Sequence, residues 1–156
     1  MLRNDSPQSG VPLYVIGNSI GKPVGTNTLY LSIYSPFALR RATIDGQTFP
    51  LLAERELGHN VYSSFVDIPP GTSRTISLDL TGIIDLSDGH YRFDYLPQIL
   101  PNADHVEWSA LFPRSRVIAA TALGPTPFTV VTDTNSARTV RPGARGPWSV
   151  DLKLQR

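Results

Sequence analysis

The stretch VYSSFVDIPPGTSRTISLDL, residues 61–80, decides the fold class. In its second half apolar and polar side chains alternate, so that Ile76, Leu78 and Leu80 lie on one face of an extended segment. The sequence Pro-Pro-Gly at 69–71 separates the halves, because proline has no N–H to donate to a sheet and glycine tolerates a positive φ. The stretch therefore predicts two strands that meet at a corner, in a sheet with one face toward water.

The composition extends this interpretation to the whole chain of 156 residues. Its 14 prolines and 12 glycines recur at intervals typical of the turns in all-β proteins, and they disfavour long helices. Hydrophobic residues make up 40% of the chain and charged residues only 17%, a balance that argues against disorder. The strongest short turn signal is Asp45-Gly46, which predicts a two-residue hairpin of type I′.

We expect an all-β fold, an immunoglobulin-like β-sandwich with a second, smaller sandwich-like β unit packed on it. The turn and linker signals divide the chain into three segments: a flexible N-terminal segment over residues 1–10, the immunoglobulin-like β-sandwich over 11–101, and the smaller β unit over 102–156. The boundary is placed at a linker bracketed by Pro97 and Pro101. A segment of about 55 residues is marginal as an independent domain, so the smaller unit is expected to pack on the larger one.

The smaller unit contains a sequence echo of the larger one around a second proline–glycine corner. Aligning Pro70-Gly71 with Pro142-Gly143 without gaps matches residues of like polarity: Ile68 with Val140, Ile76 with Trp148, Leu78 with Val150, and Asp79 with Asp151. The echo predicts either a diverged repeat of one unit or a single larger sandwich with similar strands. In both cases Trp148 begins the cleanest amphipathic strand of the chain, and its indole is expected in a core.

An ordered series of segments resembles a known family. The segments are LYLSIYSPFALRRATIDGQTF from residue 29, ELGHNVYSSFVDIPPGTSRTISLDLTG from residue 56, and HYRFDYLPQILPNADHVEW from residue 90. Together they resemble the C-terminal region of a family of large actinobacterial proteins, membrane-anchored or exported, that are classed as a domain of unknown function. The resemblance implies a β-rich part of a longer anchored chain, located at the extracellular face of the cell envelope. It carries over no activity and no catalytic residues.

The sequence lacks the patterns on which common catalytic and metal sites depend. There is no cysteine, and the three histidines, His59, His90 and His105, do not have the spacing of zinc ligands. No GxSxG motif or phosphate-binding glycine loop is present, and the two aspartates of DLSDG, residues 85–89, fit Asx turns better than a calcium loop. We therefore predict no catalytic residue, no metal site and no cofactor.

Two tyrosines are the candidate ligand-binding residues. Tyr30 and Tyr34 lie on the face of the strand at 28–34 that is opposite its aliphatic side chains, so they face either solvent or a second sheet. If they face solvent, their rings could stack on sugars. The neighbouring strand at 61–66 is apolar on both faces, which predicts a central strand covered on both sides, with Phe65 in a core.

The charge of the chain is nearly balanced but unevenly distributed. The formal net charge is +1, composed of −2 over residues 1–102 and +3 over residues 103–156. Most of the excess comes from five arginines: Arg114, Arg116, Arg138, Arg141 and Arg145. They predict either a patch for an anionic partner or a solvated rim. With only two lysines and with aromatic residues at core-like positions, we expect no nucleic-acid partner.

These observations favour a non-catalytic accessory or interaction module of a bacterial cell-envelope protein, with an envelope polymer or protein as its partner. One alternative is a glycan-binding β-sandwich module that uses Tyr30 and Tyr34. Another is a hydrolase whose site lies in the loops at 17–27, 54–60 or 85–90. No apolar run is long enough to cross a bilayer, so this part of the chain is not expected to insert into a membrane.

Overall fold

The structure is a computed structural model in which the described residues are almost all in strands. It describes residues 1–17, 21–98 and 103–155, and for residues 142 and 143 the backbone alone. Strands make up 56% and helix 3% of the described structure, which confirms the prediction of an all-β, sandwich-like fold. The described part of the chain contains no helix long and apolar enough to cross a membrane.

The chain divides into two compact units, Met1–Ile83 and Ile84–Arg156. This division lies earlier than the predicted boundary between residues 101 and 102. The reason is the strand at His90–Tyr95, which pairs with the strand at Trp148–Gln155 and so belongs to the second unit. Residues 99–101 of the predicted linker lie outside the described residues.

The first unit contains eight strands and one short helix in its described residues. They are β1 (Leu2–Arg3), α1 (Leu13–Ile16), β2 (Asn27–Ser35), β3 (Ala38–Ile44), β4 (Gln47–Thr48), β5 (Leu52–Glu56), β6 (His59–Ile68), β7 (Ser73–Arg74) and β8 (Ile76–Thr81). Two antiparallel three-stranded sheets, β2-β6-β5 and β4-β3-β8, enclose a core, and β1 pairs with β7. Apolar side chains that alternate along β2, β3, β6 and β8 form this core: Leu29, Leu31, Leu39, Ala42, Ile44, Val66, Ile68 and Ile76.

The N-terminal segment is anchored to this unit, in contrast to the flexible segment predicted over residues 1–10. Strand β1 pairs with β7, and the side chain of Asn4 is buried. Its Nδ2 donates hydrogen bonds to the backbone oxygens of Gly25 and Ile68, each at 2.7 Å. The polar composition of the segment suggested mobility. Composition alone does not reveal that the amide of Asn4 satisfies two buried carbonyl groups and so fixes the segment.

Two hairpin turns of the first unit require a left-handed backbone. The prediction at Asp45-Gly46 is confirmed, with φ of 49° and 81°. A second turn of the same kind, Leu57-Gly58 with φ of 49° and 83°, joins β5 to β6. The loop predicted over residues 54–60 is therefore wrong, since most of it belongs to these two strands.

The second unit contains six strands in its described residues. They are β9 (His90–Tyr95), β10 (Asp104–Leu111), β11 (Arg116–Leu123), β12 (Val131–Thr132), β13 (Ser136–Ala144) and β14 (Trp148–Gln155). They form two antiparallel sheets, β9-β14-β11 and β10-β13-β12. Strand β14 contributes four inward side chains to the core, Trp148, Val150, Leu152 and Leu154, and aromatic rings from β9 and β10 pack on them.

The two units share three strand pairings and differ in a fourth, since β4 pairs with β3 in the first unit whereas β9 pairs with β14 in the second. In the first, β2 pairs with β6, β6 with β5, and β3 with β8; in the second, β10 pairs with β13, β13 with β12, and β11 with β14. One cross-strand pair is also similar, because Ala42 lies opposite Leu78 while Ala122 lies opposite Val150. Leu78 and Val150 are a pair that the sequence echo aligned. The shared pairing favours the hypothesis of a diverged repeat.

Two details of the sequence prediction differ from this arrangement. Upstream of the corner the ungapped alignment is displaced by one position, because Ile68 is buried, Val140 is exposed, and Thr139 takes the inward position. The immunoglobulin-like strand order is not confirmed. The pairings β2-β6-β5 and β3-β8 match the B-E-D and C-F parts of that order, but β1, which precedes them, pairs with β7 and not with β2.

Replacing Trp148 by alanine tests the core of the second unit. The side chain is only 3% exposed and contacts the rings of Phe93, Tyr95 and Phe128. We expect Trp148→Ala to lower the free energy of unfolding by about 3–5 kcal/mol, measured by denaturant titration followed by circular dichroism.

The control for this experiment is Leu123→Ala, at an exposed position of β11. We expect this substitution to change the free energy of unfolding by no more than about 0.5 kcal/mol. A loss below about 1 kcal/mol for Trp148→Ala would contradict the buried position of the indole.

Candidate functional site

Tyr30 and Tyr34 lie on an open face of the sheet β2-β6-β5. Of the two surroundings that the sequence left open, solvent or a second sheet, both tyrosines therefore face solvent. Each side chain is 53% exposed. The prediction for the strand at 61–66 is wrong at one residue, because Phe65 is 70% exposed although Val61 is buried. Sequence periodicity missed Phe65 because a strand with apolar side chains on both faces does not show which ring the neighbouring elements leave uncovered.

The exposed rings are arranged in a row along this face. Tyr30 and Phe65 are cross-strand neighbours, with ring centroids 4.9 Å apart and ring planes inclined by 59°. Tyr34 lies four residues further along β2, roughly 13 Å away at about 3.3 Å per residue. The exposed Leu52 of β5 lies opposite Ser63, between the two ends of the row. We call the surface of Tyr30, Phe65, Tyr34 and Leu52 the aromatic face.

A charged cluster borders the aromatic face beside the Tyr30–Phe65 pair. The hydroxyl of Thr28 donates to Asp67 Oδ1 at 2.6 Å, and the ammonium group of Lys22 forms an ion pair with the same oxygen. The hydrogen bond from Lys22, followed by that from Thr28, holds the pKa of Asp67 below its ordinary value. The carboxylate is therefore ionised at neutral pH and fixed next to the rings.

Hydroxyl groups occupy the middle and the far end of the aromatic face. The Oγ atoms of Ser32 and Ser63 lie 2.9 Å apart across the two strands. The Oη of Tyr34 donates to Glu56 Oε2 at 2.6 Å, and this hydrogen bond raises the pKa of the tyrosine. The phenol consequently stays protonated at neutral pH, and the contact holds the Tyr34 side chain in position over the sheet.

The five arginines predicted as a patch for an anionic partner occupy different positions in the second unit. Arg114 lies between β10 and β11, Arg116 begins β11, and Arg145 follows β13. Arg138 and Arg141 both belong to β13 and line one cavity, but Arg138 is exposed whereas Arg141 is only 7% exposed. The structure therefore brings two of the five together and buries one of them.

The cavity beside Arg141 has a volume of about 620 Å³. It lies between β13 and the segment that leads into β12, and it is lined by Thr126, Pro127, Phe128, Thr129, Val131, Arg138, Thr139, Val140 and Arg141. The guanidinium carbon of Arg141 stands 4.1 Å from the ring centroid of Phe128 and 5.6 Å from that of Trp148. The sequence showed Arg141 but gave no sign of this cavity, because Phe128 and Thr126 lie in an irregular segment.

The hydrolase alternative depends on a histidine and a carboxylate that meet in a pocket. His90 Nδ1 does lie 2.7 Å from Asp151 Oδ1, and Arg92 Nε lies 3.3 Å from the other oxygen of that carboxylate. These side chains do not line the cavity beside Arg141. Of the predicted loop 17–27, residues 18–20 lie outside the described residues.

The connector at 85–89 forms the Asx turns that its sequence predicted. Asp85 Oδ1 accepts the backbone N–H of Ser87 at 2.9 Å, and Asp88 Oδ1 accepts that of His90 at 2.8 Å. The contact with Ser87 lowers the pKa of Asp85, and the hydrogen bond from Arg92, followed by that from the His90 N–H, lowers the pKa of Asp88. The described ranges contain no group of three or more histidine, aspartate or glutamate side chains placed to hold a metal ion.

Comparisons of the chain with models of protein families, with curated proteins and with solved structures returned no match. The likeness to the actinobacterial family therefore stays a resemblance. What the protein does has to be argued from the aromatic face and from the cavity beside Arg141.

Titration of Asp67 tests the charged border of the aromatic face. Because Lys22 and Thr28 favour the carboxylate, we expect its pKa, measured by the pH dependence of the Cγ resonance, to lie below 3.8. The stabilising contribution of this group is present above the unfolded pKa and is lost as the pH falls through the lowered folded pKa. Lys22→Met should raise the titration midpoint toward 3.8.

Lys153→Met provides the matched control, since Lys153 belongs to β14 in the second unit. This variant should leave the Asp67 midpoint unchanged. A wild-type midpoint at or above 3.8, or equal midpoints in the wild type and Lys22→Met, would show that the contact with Lys22 does not form in solution.

Proposed function

We propose that the chain is a non-catalytic binding module and that its aromatic face binds a polysaccharide. The observation that carries this proposal is the row of exposed rings, Tyr30, Phe65 and Tyr34, on one sheet face. The C–H side of a sugar ring packs well on an aromatic ring, because it buries apolar area and meets the negative face of the π system. Exposed rings in a row are costly to maintain in water unless a ligand covers them.

The polar groups among the rings favour a sugar polymer over a protein partner. The core of a protein interface is generally depleted of charge. Here the exposed hydroxyl of Ser32 lies between the two ends of the row, and the carboxylates of Asp67 and Glu56 border it. Sugar hydroxyl groups can donate to and accept from such groups while the rings stack.

The shape of the aromatic face favours the interior of a linear chain over a free monosaccharide. The rings of Tyr30 and Tyr34 are roughly 13 Å apart along an extended strand, a distance longer than one sugar ring. An open sheet face also leaves both ends of a bound polymer unobstructed. We therefore propose an extended polysaccharide that lies along β2.

The location of the module completes the proposal. The resemblance of residues 28–112 to the actinobacterial family supports an accessory role in a longer anchored protein at the extracellular face of the cell envelope. Polysaccharide is abundant in that compartment. A module that holds such a polymer would keep the rest of its chain close to the envelope.

Alanine variants of the aromatic face test the proposal. We expect the wild type to bind at least one class of polysaccharide on a glycan array, with the affinity confirmed by isothermal titration calorimetry. Tyr30→Ala, Phe65→Ala and Tyr34→Ala should each weaken binding about tenfold, since the loss of one aromatic contact is worth about 1.5 kcal/mol. Tyr34→Phe separates stacking from the hydrogen bond to Glu56, because it keeps the ring.

The matched control is Tyr14→Ala, which removes an exposed tyrosine of α1 in the same unit. This variant should bind polysaccharide as the wild type does. The proposal fails if no array component binds, or if the alanine variants bind as tightly as the control. It also fails if the same substitutions abolish only self-association or binding of a protein.

A further inference from the structure

The cavity beside Arg141 contains a cation whose hydrogen-bonding capacity the protein leaves largely unused. A guanidinium group offers five N–H donors and keeps its charge at all physiological pH values. The structure gives the group a hydrogen bond from Nη2 to the backbone oxygen of Thr126, at the long distance of 3.4 Å. Within the described part of the chain, the buried Nη1 has no hydrogen-bond partner, and no carboxylate forms an ion pair with Arg141.

This arrangement is energetically unfavourable without a further partner. Burying a charged group costs several kcal/mol unless it is paired and hydrogen-bonded. The contacts with Phe128 and Trp148 offset part of this cost through cation–π attraction. In this attraction the guanidinium plane faces the rings, so the N–H groups at its edge are not used. What the group lacks is an acceptor in its own plane.

The surroundings of Arg141 make room for the guanidinium. A Cβ atom at Gly124 would lie 3.1 Å from Nη1 and 3.1 Å from Trp148 Cβ, so any larger residue would crowd both groups. The Oγ1 of Thr139 donates to the backbone oxygen of Thr129 at 2.8 Å and fixes the segment that forms the opposite wall of the cavity. The site is thus formed by β13 and the segment that leads into β12, both in the second unit.

We propose that this cavity binds a carboxylate group, with Arg141 as its principal ligand. A carboxylate is planar and matches the fork of a guanidinium. Phe128, Val131 and Val140 give the same cavity apolar surface, which suits an acid group carried on a compact ring. The carboxylate belongs either to a free sugar acid or to a uronic acid residue of a polymer.

This inference is independent of the aromatic face. The cavity lies entirely in the second unit, whereas Tyr30, Phe65 and Tyr34 belong to the first. Loss of one activity therefore leaves the other testable, and substitutions in one unit serve as controls for the other.

The first experiment uses glucuronate as the probe and glucose as the neutral control. Binding is followed by calorimetry and by the Nε–H resonance of Arg141 in ¹H–¹⁵N spectra of the whole chain. We expect glucuronate to bind and to shift this resonance, and glucose to do neither. An oligomer of glucuronate that binds more tightly than the monomer identifies a polymer as the source, and equal affinity identifies the free acid.

Variants connect this binding to the cavity. Arg141→Gln should weaken glucuronate binding about tenfold or more, because it removes the charge-assisted hydrogen bonds. Since a change at a buried residue can disturb folding, Arg141→Lys provides a second test that keeps the positive charge but not the fork of donors. Circular dichroism shows whether each variant is folded, and folded Arg141→Lys should bind glucuronate more weakly than the wild type and more tightly than Arg141→Gln.

Three results would overturn the proposal. The first is the absence of glucuronate binding to the folded wild type at millimolar concentrations. The second is equal binding of glucose and glucuronate. The third is an Arg141 Nε–H resonance that does not shift when glucuronate is added to the wild type.

Discussion

Alternation of side chains along the central strands is the constraint on which this structure depends. In β13 the side chains of Ala137, Thr139 and Arg141 all point into the second unit and are buried, while those of Arg138 and Val140 point outward. A strand cannot change the direction of one side chain without a bulge, so an arginine at an inward position must be accommodated where it lies. The protein does this with two aromatic rings and a glycine, and the cavity results from that accommodation.

The same constraint distinguishes the two uses of aromatic residues in the chain. In the second unit the rings of Tyr91, Phe93 and Trp148 occupy inward positions and contact one another or Trp108, so they contribute to stability. In the first unit the core is mainly aliphatic, and Tyr30 and Phe65 occupy outward positions of neighbouring strands. Residues of one chemical type thus serve the core in one unit and a surface in the other.

Much of the fold could be predicted from the sequence because its cause is local. The alternation at 76–80 and 148–154 and the turn at Asp45-Gly46 each depend on a few neighbouring residues, and the structure shows the strands and the turn at those places. The boundary between the units could not be predicted in the same way. It depends on the pairing of β9 with β14, which are far apart in sequence.

The candidate sites were predictable only in part, for a related physical reason. Tyr30 and Tyr34 follow from the period of their own strand. Phe65 joins them only through the register between β2 and β6, and Phe128 reaches Arg141 only because an irregular segment folds beside β13. Local patterns identify which residues could contribute to a binding site. The contacts between distant segments decide which of these residues lie together in one site.

Carboxyl groups with a lowered pKa hold the exposed turns and strand ends of this chain in place. A catalytic acid or base commonly has a carboxyl pKa raised by burial or by a like charge. Here the pKa values of Asp45, Asp67 and Asp88 are lowered, and in each case the cause is a hydrogen bond to a backbone N–H or to a cationic side chain on an exposed surface. Such carboxylates fix turns and strands in place and keep their charge. The strongest unbalanced group is the cation of Arg141, and an unbalanced cation in a cavity stabilises a bound anion without any requirement for proton transfer.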